Sequence, residues 1–181
     1  MTQDTALIVI DVQQSFEHRP YWSDADLPEF RRKLTALIDG AVAKGIPVVR
    51  VLHVEAEGAF SKASGWVRPM DWVPAAHDVV FEKTVHNAFT DTGLERWLRG
   101  RGIRRLIVSG IRTEQCCETT TRHASDLGYA VDFVSEATLT FPMTHPATGK
   151  VYDSADIKAR TELVLVDRFA RLATVEEALA A

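Results

Sequence analysis

Three residues with complementary chemistry, far apart in the chain, each stand just beyond an apolar run. Asp11 closes Leu7-Ile-Val-Ile10, Lys83 follows Val79-Val-Phe81, and Cys116 lies in Gly110-Ile-Arg-Thr-Glu-Gln-Cys116-Cys117, directly after Leu106-Ile-Val-Ser109. A thiol becomes a useful nucleophile when its surroundings create or stabilise the thiolate. A carboxylate that takes the proton, an ammonium and the positive end of a helix all do this, and each is available to Cys116. Taken singly, a buried cysteine or a strand-terminal aspartate is usually packing or a cap. Their joint placement points to one site built around a cysteine.

The elements that must position these residues follow from hydrophobic periodicity. Apolar runs alternate with helical stretches, the pattern of βαβ units and a parallel sheet covered on both faces. Strands are expected at Leu7–Ile10, Pro47–Val54, Val79–Phe81, Arg104–Ser109 and Ala130–Val134, with a further one near Phe169–Leu172. Helices are expected from about Glu29 to Lys44, Thr92 to Gly100, Cys116 to Leu127 and Ser154 to Leu165, and a short last one is capped by Thr174. In such a sheet ligands bind beyond the carboxyl ends of the strands, where Asp11, Lys83 and the Cys116 loop all fall. Residues from about Glu55 to Asp78 lose the pattern and read as a long loop. Its Trp66 and Trp72 either cover a pocket or oligomer contact, or anchor the loop to the core. Pro142 and Pro146, around Met143-Thr-His145, mark another irregular segment, with His145 either near the site or on the surface.

Composition sets outer limits. The chain has 181 residues, 46% hydrophobic and 25% charged, with a formal net charge of −4. This suits one globular domain over residues 1–181, and it offers no global field for nucleic acid or an anionic membrane. No apolar run reaches the roughly 20 residues of a spanning helix, and the start Met1-Thr-Gln-Asp lacks signal-peptide order, so a cytoplasmic location is expected. The two cysteines are adjacent, a poor arrangement for a loop-closing disulfide, and are expected to be reduced.

Over nearly its whole length the chain resembles the isochorismatase-like cysteine hydrolases. The resemblance rests on Ala6-Leu-Ile-Val-Ile-Asp-Val-Gln13 with Phe16, on Glu82-Lys83 followed by Asn87-Ala-Phe89 and Thr92-Gly-Leu94, and on Gly110 to Tyr129, where Gly110, Thr113, Cys116, Thr120 and Gly128 match the family pattern. It implies a three-layer α/β/α fold with a six-stranded, mainly parallel sheet, and a triad of Cys116, Asp11 and Lys83 with Cys117 packed behind. It also implies a non-proline cis peptide between Ile111 and Arg112, with the backbone N–H groups of Arg112 and Cys116 aimed at a developing oxyanion. Assembly into a homo-oligomer is expected on the same ground.

The implied reaction acts on a small molecule. Asp11 takes the thiol proton, Cys116 attacks a carbonyl, and Asp11 protonates the departing amine; water activated by the same carboxylate then releases the acid from a thioester, while Lys83 balances the charges. Relatives that cleave nicotinamide carry a metal site built on Asp-x-His. Here the sequence is His53-Val-Glu55, so no metal or other cofactor is expected. True isochorismatases cleave a vinyl ether without needing the cysteine, so the retained thiol favours an amide, carbamoyl or ureido carbon. An ether or lactam hydrolase and a catalytically silent binding protein are the alternatives. Candidate substrate contacts are Phe16, His53, Trp66, Asn87, Arg112 and Phe141, with the Arg112 guanidinium either gripping a substrate carboxylate or facing a subunit contact.

Overall fold

In the computed structural model, which describes residues 4–180, the apolar run Thr5–Ile10 forms β1 at the middle of the sheet, every residue buried. Residues 1–3, on which the reading of the N-terminus partly rests, lie outside the described part. Alternation along β1 divides its side chains between two cores, with Leu7 and Val9 on one face and Ala6, Ile8 and Ile10 on the other. A strand that supplies both faces must be apolar throughout, which is why its sequence reads as an unbroken run.

The remaining strands are β2 (Val48–His53), β3 (Val79–Lys83), β4 (Arg105–Ile111), β5 (Ala130–Leu139), the hairpin strands β6 (Met143–Thr144) and β7 (Val151–Tyr152), and β8 (Arg171–Leu172). Six of them form one sheet in the order β3-β2-β1-β4-β5-β8, and every pairing in it is parallel. Helix α1 (Leu27–Ala43) packs Phe30, Leu34, Leu37, Ile38 and Ala41 into the first core, joined by Val175 and Ala178 of α5 (Val175–Ala180). The opposite core receives Leu94 and Leu98 of α2 (Leu94–Gly100), Ala124 of α3 (Glu118–Asp126) and Leu165 of α4 (Ser154–Leu165). The expected three-layer α/β/α architecture with a six-stranded sheet is therefore present. Among the described residues no helix is long and apolar enough to cross a membrane.

Several boundaries differ from the sequence reading. The fifth strand runs on past Val134 to Leu139, its register against β4 shifting between Val108 and Gly110, because the polar pair Ser135-Glu136 sits at that irregularity and masks the strand's continuation. The irregular segment after it folds into the antiparallel hairpin β6–β7, whose two-residue strands are too short to carry a periodic signal. Cys116 is not the first residue of a helix: Thr113–Cys117 form a π-helical turn, and α3 begins only at Glu118. The cap at Thr174 is reciprocal, since its Oγ1 accepts from the Glu177 N–H at 3.2 Å while the Glu177 carboxylate accepts from the Thr174 N–H at 2.9 Å.

The chain extends from β1 toward β3 on one side and from β4 toward β8 on the other, so the strand order reverses between β1 and β4. A crevice opens at such a reversal. Gly110 lies there beside Ile10 at φ 130°, and a Cβ at this position would stand 2.0 Å from the Ile10 carbonyl oxygen. Neither the dihedral nor the space admits a side chain. Gly110→Ala is expected to lower unfolding free energy by about 3 kcal/mol or more, or to prevent folding. Gly100→Ala, in open space at the end of α2, should be neutral or slightly stabilising in the same denaturant titration.

Candidate active site

Asp11, the first residue after β1, adopts φ 53°, which turns the chain at the crevice. Lys83 is the last residue of β3, two strands away from β1, and lies in register with His53 of β2. Two strand spacings are about 10 Å, and the four-carbon lysine stem covers much of that distance on its way to the aspartate. Its Nζ reaches Asp11 Oδ2 at 2.7 Å, with both side chains almost wholly removed from solvent. The same ammonium lies 3.4 Å from Cys116 Sγ and 3.1 Å from His53 Nδ1. An ammonium has three N–H donors and no acceptor, so one cation serves three partners that come from three different strand ends.

This arrangement fixes the state of His53. Its Nδ1 faces a donor and must accept, which leaves the proton on Nε2, 3.5 Å from Glu55 Oε1. Burial, aided by the Lys83 charge, holds the imidazole below its ordinary pKa and therefore neutral. Burial likewise raises the Asp11 pKa, against the pull of Lys83. For Lys83, burial alone would lower the pKa, but the charges of Asp11 and Cys116 outweigh it and the net direction is upward. Cys116 is pushed well above the usual thiol range by burial and then by the Asp11 charge, with Lys83 only partly opposing. At neutral pH the resting site thus holds a protonated thiol beside a buried carboxylate–ammonium pair.

The thiol opens into a cavity of about 70 Å³. Phe16, Tyr21 and Phe60 supply aromatic walls, Arg19, His53, Glu55 and His86 supply polar groups, and Asp11, Gln115 and Cys116 complete it. His86 Nδ1 lies 3.7 Å from Cys116 Sγ, and its ring is parallel to that of His53 with centroids 6.3 Å apart. Cys117 is fully buried and takes no part in the cavity wall. The Ile111–Arg112 peptide is cis. The Arg112 carbonyl accepts from the N–H groups of Gln115 and Cys117, both at 3.2 Å, which closes the turn carrying the thiol. Larger depressions lie beside Asp132 and between the hairpin and α4, but neither has a cysteine in its wall.

Of the six candidate substrate contacts, Phe16 and His53 line the cavity. Trp66 lies outside it, stacked on His18 with ring centroids 4.1 Å apart. Asn87 bridges its own turn, donating to Thr90 Oγ1 at 2.9 Å and accepting from the Phe89 N–H at 3.1 Å. Arg112 is buried against Glu114 at 3.0 Å and over the Tyr21 and Phe141 rings, so its guanidinium is already paired. Phe141 packs behind the cavity wall against Phe16 and Tyr21. His145 lies on the hairpin, away from the thiol. Sequence reasoning passed over Arg19, Tyr21, Phe60, His86 and Gln115. His86 was reachable, standing between Lys83 and the Asn87-Ala-Phe89 stretch, whereas Arg19 and Tyr21 fall in a turn with no periodicity to orient them.

A parallel α/β/α sheet with a thiol, a carboxylate and an ammonium converging at its strand reversal defines a broad class of hydrolase site. Comparison with known proteins narrows it: the isochorismatase domain profile matches residues 5–159, and the chain belongs to the isochorismatase family of hydrolases. It is 29% identical over 185 residues to the uncharacterized isochorismatase family protein YrdC of Bacillus subtilis, covering 98% of this chain and 95% of that one. It is 32% identical over 155 residues to the streptothricin hydrolase of Streptomyces noursei, covering 82% of this chain but only 54% of that protein. The crystal structure of an isochorismatase from Pseudomonas putida superposes with a TM-score of 0.87 at 28% identity, covering 96% of this chain and 89% of that one.

The charge arrangement makes a specific demand on thiol reactivity. Iodoacetamide alkylation of Cys116 should be slow at neutral pH and still rising above the ordinary thiol range near 8.5. Removing the Asp11 charge removes one cause of the raised pKa, so Asp11→Asn should move the alkylation profile to lower pH while any turnover falls by about 100-fold or more. A profile that stays in place would contradict the assigned electrostatics.

Proposed function

We propose that the protein is a cysteine hydrolase that cleaves the C–N bond of a small amide, carbamoyl or ureido substrate through a thioester. One observation carries this reading: Lys83 Nζ touches both Asp11 Oδ2, at 2.7 Å, and Cys116 Sγ, at 3.4 Å, beside a small cavity. A site of about 70 Å³ is far below the roughly 300–1,000 Å³ of most ligand pockets, which favours a compact substrate.

The reaction follows from the protonation states. Because the resting thiol is neutral, its proton must move as the bond forms, and Asp11 is the acceptor beside it. Sulfur attacks the carbonyl carbon, and the displaced electron pair becomes an oxyanion that accepts from the backbone N–H groups of Arg112 and Cys116. Collapse of this intermediate breaks the C–N bond, with Asp11 returning the proton to nitrogen. Water then adds to the thioester as a base removes its proton, the C–S bond breaks, and the thiolate recovers a proton. Lys83 keeps a cation beside the carboxylate and the sulfur throughout, which limits the cost of negative charge in a buried site.

Ammonia release from a panel of small primary amides, carbamoyl and ureido compounds, read with intact-protein mass spectrometry, tests the proposal. Wild-type protein is expected to release ammonia and to show a transient acyl adduct. Cys116→Ala should show neither, with turnover down by about 1,000-fold or more, whereas Cys117→Ala should retain most of it. Turnover that survives in Cys116→Ala would overturn the mechanism, and hydrolysis confined to ethers or lactams would move the protein to another reaction of the family. Activity should be unaffected by EDTA.

A further inference from the structure

Arg19 stands in the cavity wall with Phe16, Tyr21, Phe60 and Cys116. Its guanidinium carbon lies 5.7 Å from the Tyr21 ring centroid and 6.0 Å from that of Phe60, so aromatic groups flank the charge. The Nε atom is buried and, among the described residues, has no hydrogen-bond partner. The Nε atoms of Arg50 and Arg112 are likewise unbonded, but those guanidiniums are engaged at another nitrogen, Arg112 with Glu114 at 3.0 Å and Arg50 with the Pro74 carbonyl at 2.8 Å, whereas the Arg19 guanidinium has no ion pair or hydrogen bond among the described residues. Two carboxylates share the cavity with Arg19, and both face other partners: Asp11 meets Lys83 at 2.7 Å and Glu55 lies 3.5 Å from His53 Nε2.

An arginine does not shed its proton, so a guanidinium with a buried donor left unbonded is an unmet demand for an acceptor. Its planar fork matches a carboxylate. We infer that Arg19 anchors a carboxylate of the substrate, so that the molecule cleaved at Cys116 is a small amide, carbamoyl or ureido compound bearing an acid group. The inference rests on the hydrolase reading for its reaction, but the anion site itself is independent of turnover. It moves the role of carboxylate grip from Arg112, which Glu114 already occupies, to an arginine that shares a wall with the nucleophile. Orientation follows: with the acid held at Arg19 and the carbonyl at Cys116, the two ends of a short substrate are fixed before bond formation.

Alkylation of Cys116 reads this site without any knowledge of the substrate. Rate constants are compared for iodoacetate and 3-iodopropionate against iodoacetamide and 3-iodopropionamide, with the adduct located by peptide mass spectrometry and Cys116→Ala as the blank. Arg19→Gln is expected to lower the acid-to-amide rate ratio by about tenfold or more for at least one chain length, with Arg19→Lys in between. An unchanged ratio, or an equal fall for acids and amides, overturns the proposal. If Arg19→Gln does not fold, protection of wild-type Cys116 from iodoacetamide decides the matter: acetate or propionate should protect and acetamide should not, and equal protection refutes the anion site. Failure of the ammonia assay would instead sink the hydrolase reading while leaving these ratios interpretable.

Discussion

The ammonium of Lys83 is the interaction on which this site depends. A lone charge brought into a protein interior costs several kcal/mol unless it is paired and its hydrogen bonds are filled. Lys83 meets both conditions with partners from three other segments: Asp11 after β1, His53 at the end of β2 and Cys116 after β4. Each partner is constrained in return. Asp11 keeps a cation that moderates its desolvation, His53 is held neutral, and the sulfur lies beside a positive charge that partly offsets its own burial. The sheet order is what makes this possible, because β3 and β2 lie on one side of β1 and β4 on the other.

The second constraint is the closeness of β1 to β4. Gly110 stands beside Ile10 in a conformation and a space that exclude a side chain, so the β4 backbone can run against β1 up to the point where the thiol-bearing turn begins. The turn Thr113–Cys117 is then tied to the rest of the sheet by the Thr113 hydroxyl, 2.8 Å from that of Thr138 on β5. Packing on both faces of the sheet and this polar tie determine where the sulfur sits, as much as the groups that touch it.

Much of this was legible in the sequence, for physical reasons. Central parallel strands buried on both faces must be apolar runs, so β1 and β4 announce themselves, and Asp11 at the end of such a run is conspicuous. Lys83 and Cys116 are legible by the same rule and by the family resemblance. The pocket walls were not. Trp66, Asn87, Arg112 and Phe141 stand close in sequence to the motifs or in the long loop, yet their side chains turn to His18, to their own turn, to Glu114 or into the aromatic packing behind the cavity. Neighbourhood in sequence does not determine side-chain direction in loops, where no period of 2 or 3.6 applies. Arg19 and Tyr21 were missed for the same reason, and the hairpin β6–β7 because strands of two residues show no alternation.

A protonated, strongly buried thiol looks like a poor nucleophile, but under the proposed mechanism the same burial suits attack on an unactivated carbonyl. A thiolate present at rest would be open to oxidation and alkylation, whereas here the carboxylate that raises the thiol pKa is also the group able to accept its proton once a carbonyl is in place. In the proposed reaction, proton transfer to Asp11 would place the new negative charge on sulfur while removing one from the carboxylate, so the buried site would keep the same net charge beside Lys83 through the attack. Charge therefore shifts between groups already facing one cation, and little reorganisation is needed at the moment of reaction. On this argument the raised pKa values of Asp11 and Cys116 belong to one arrangement: burial raises both, the Asp11 charge adds to it at the thiol, and the proposed reaction passes a single proton between them.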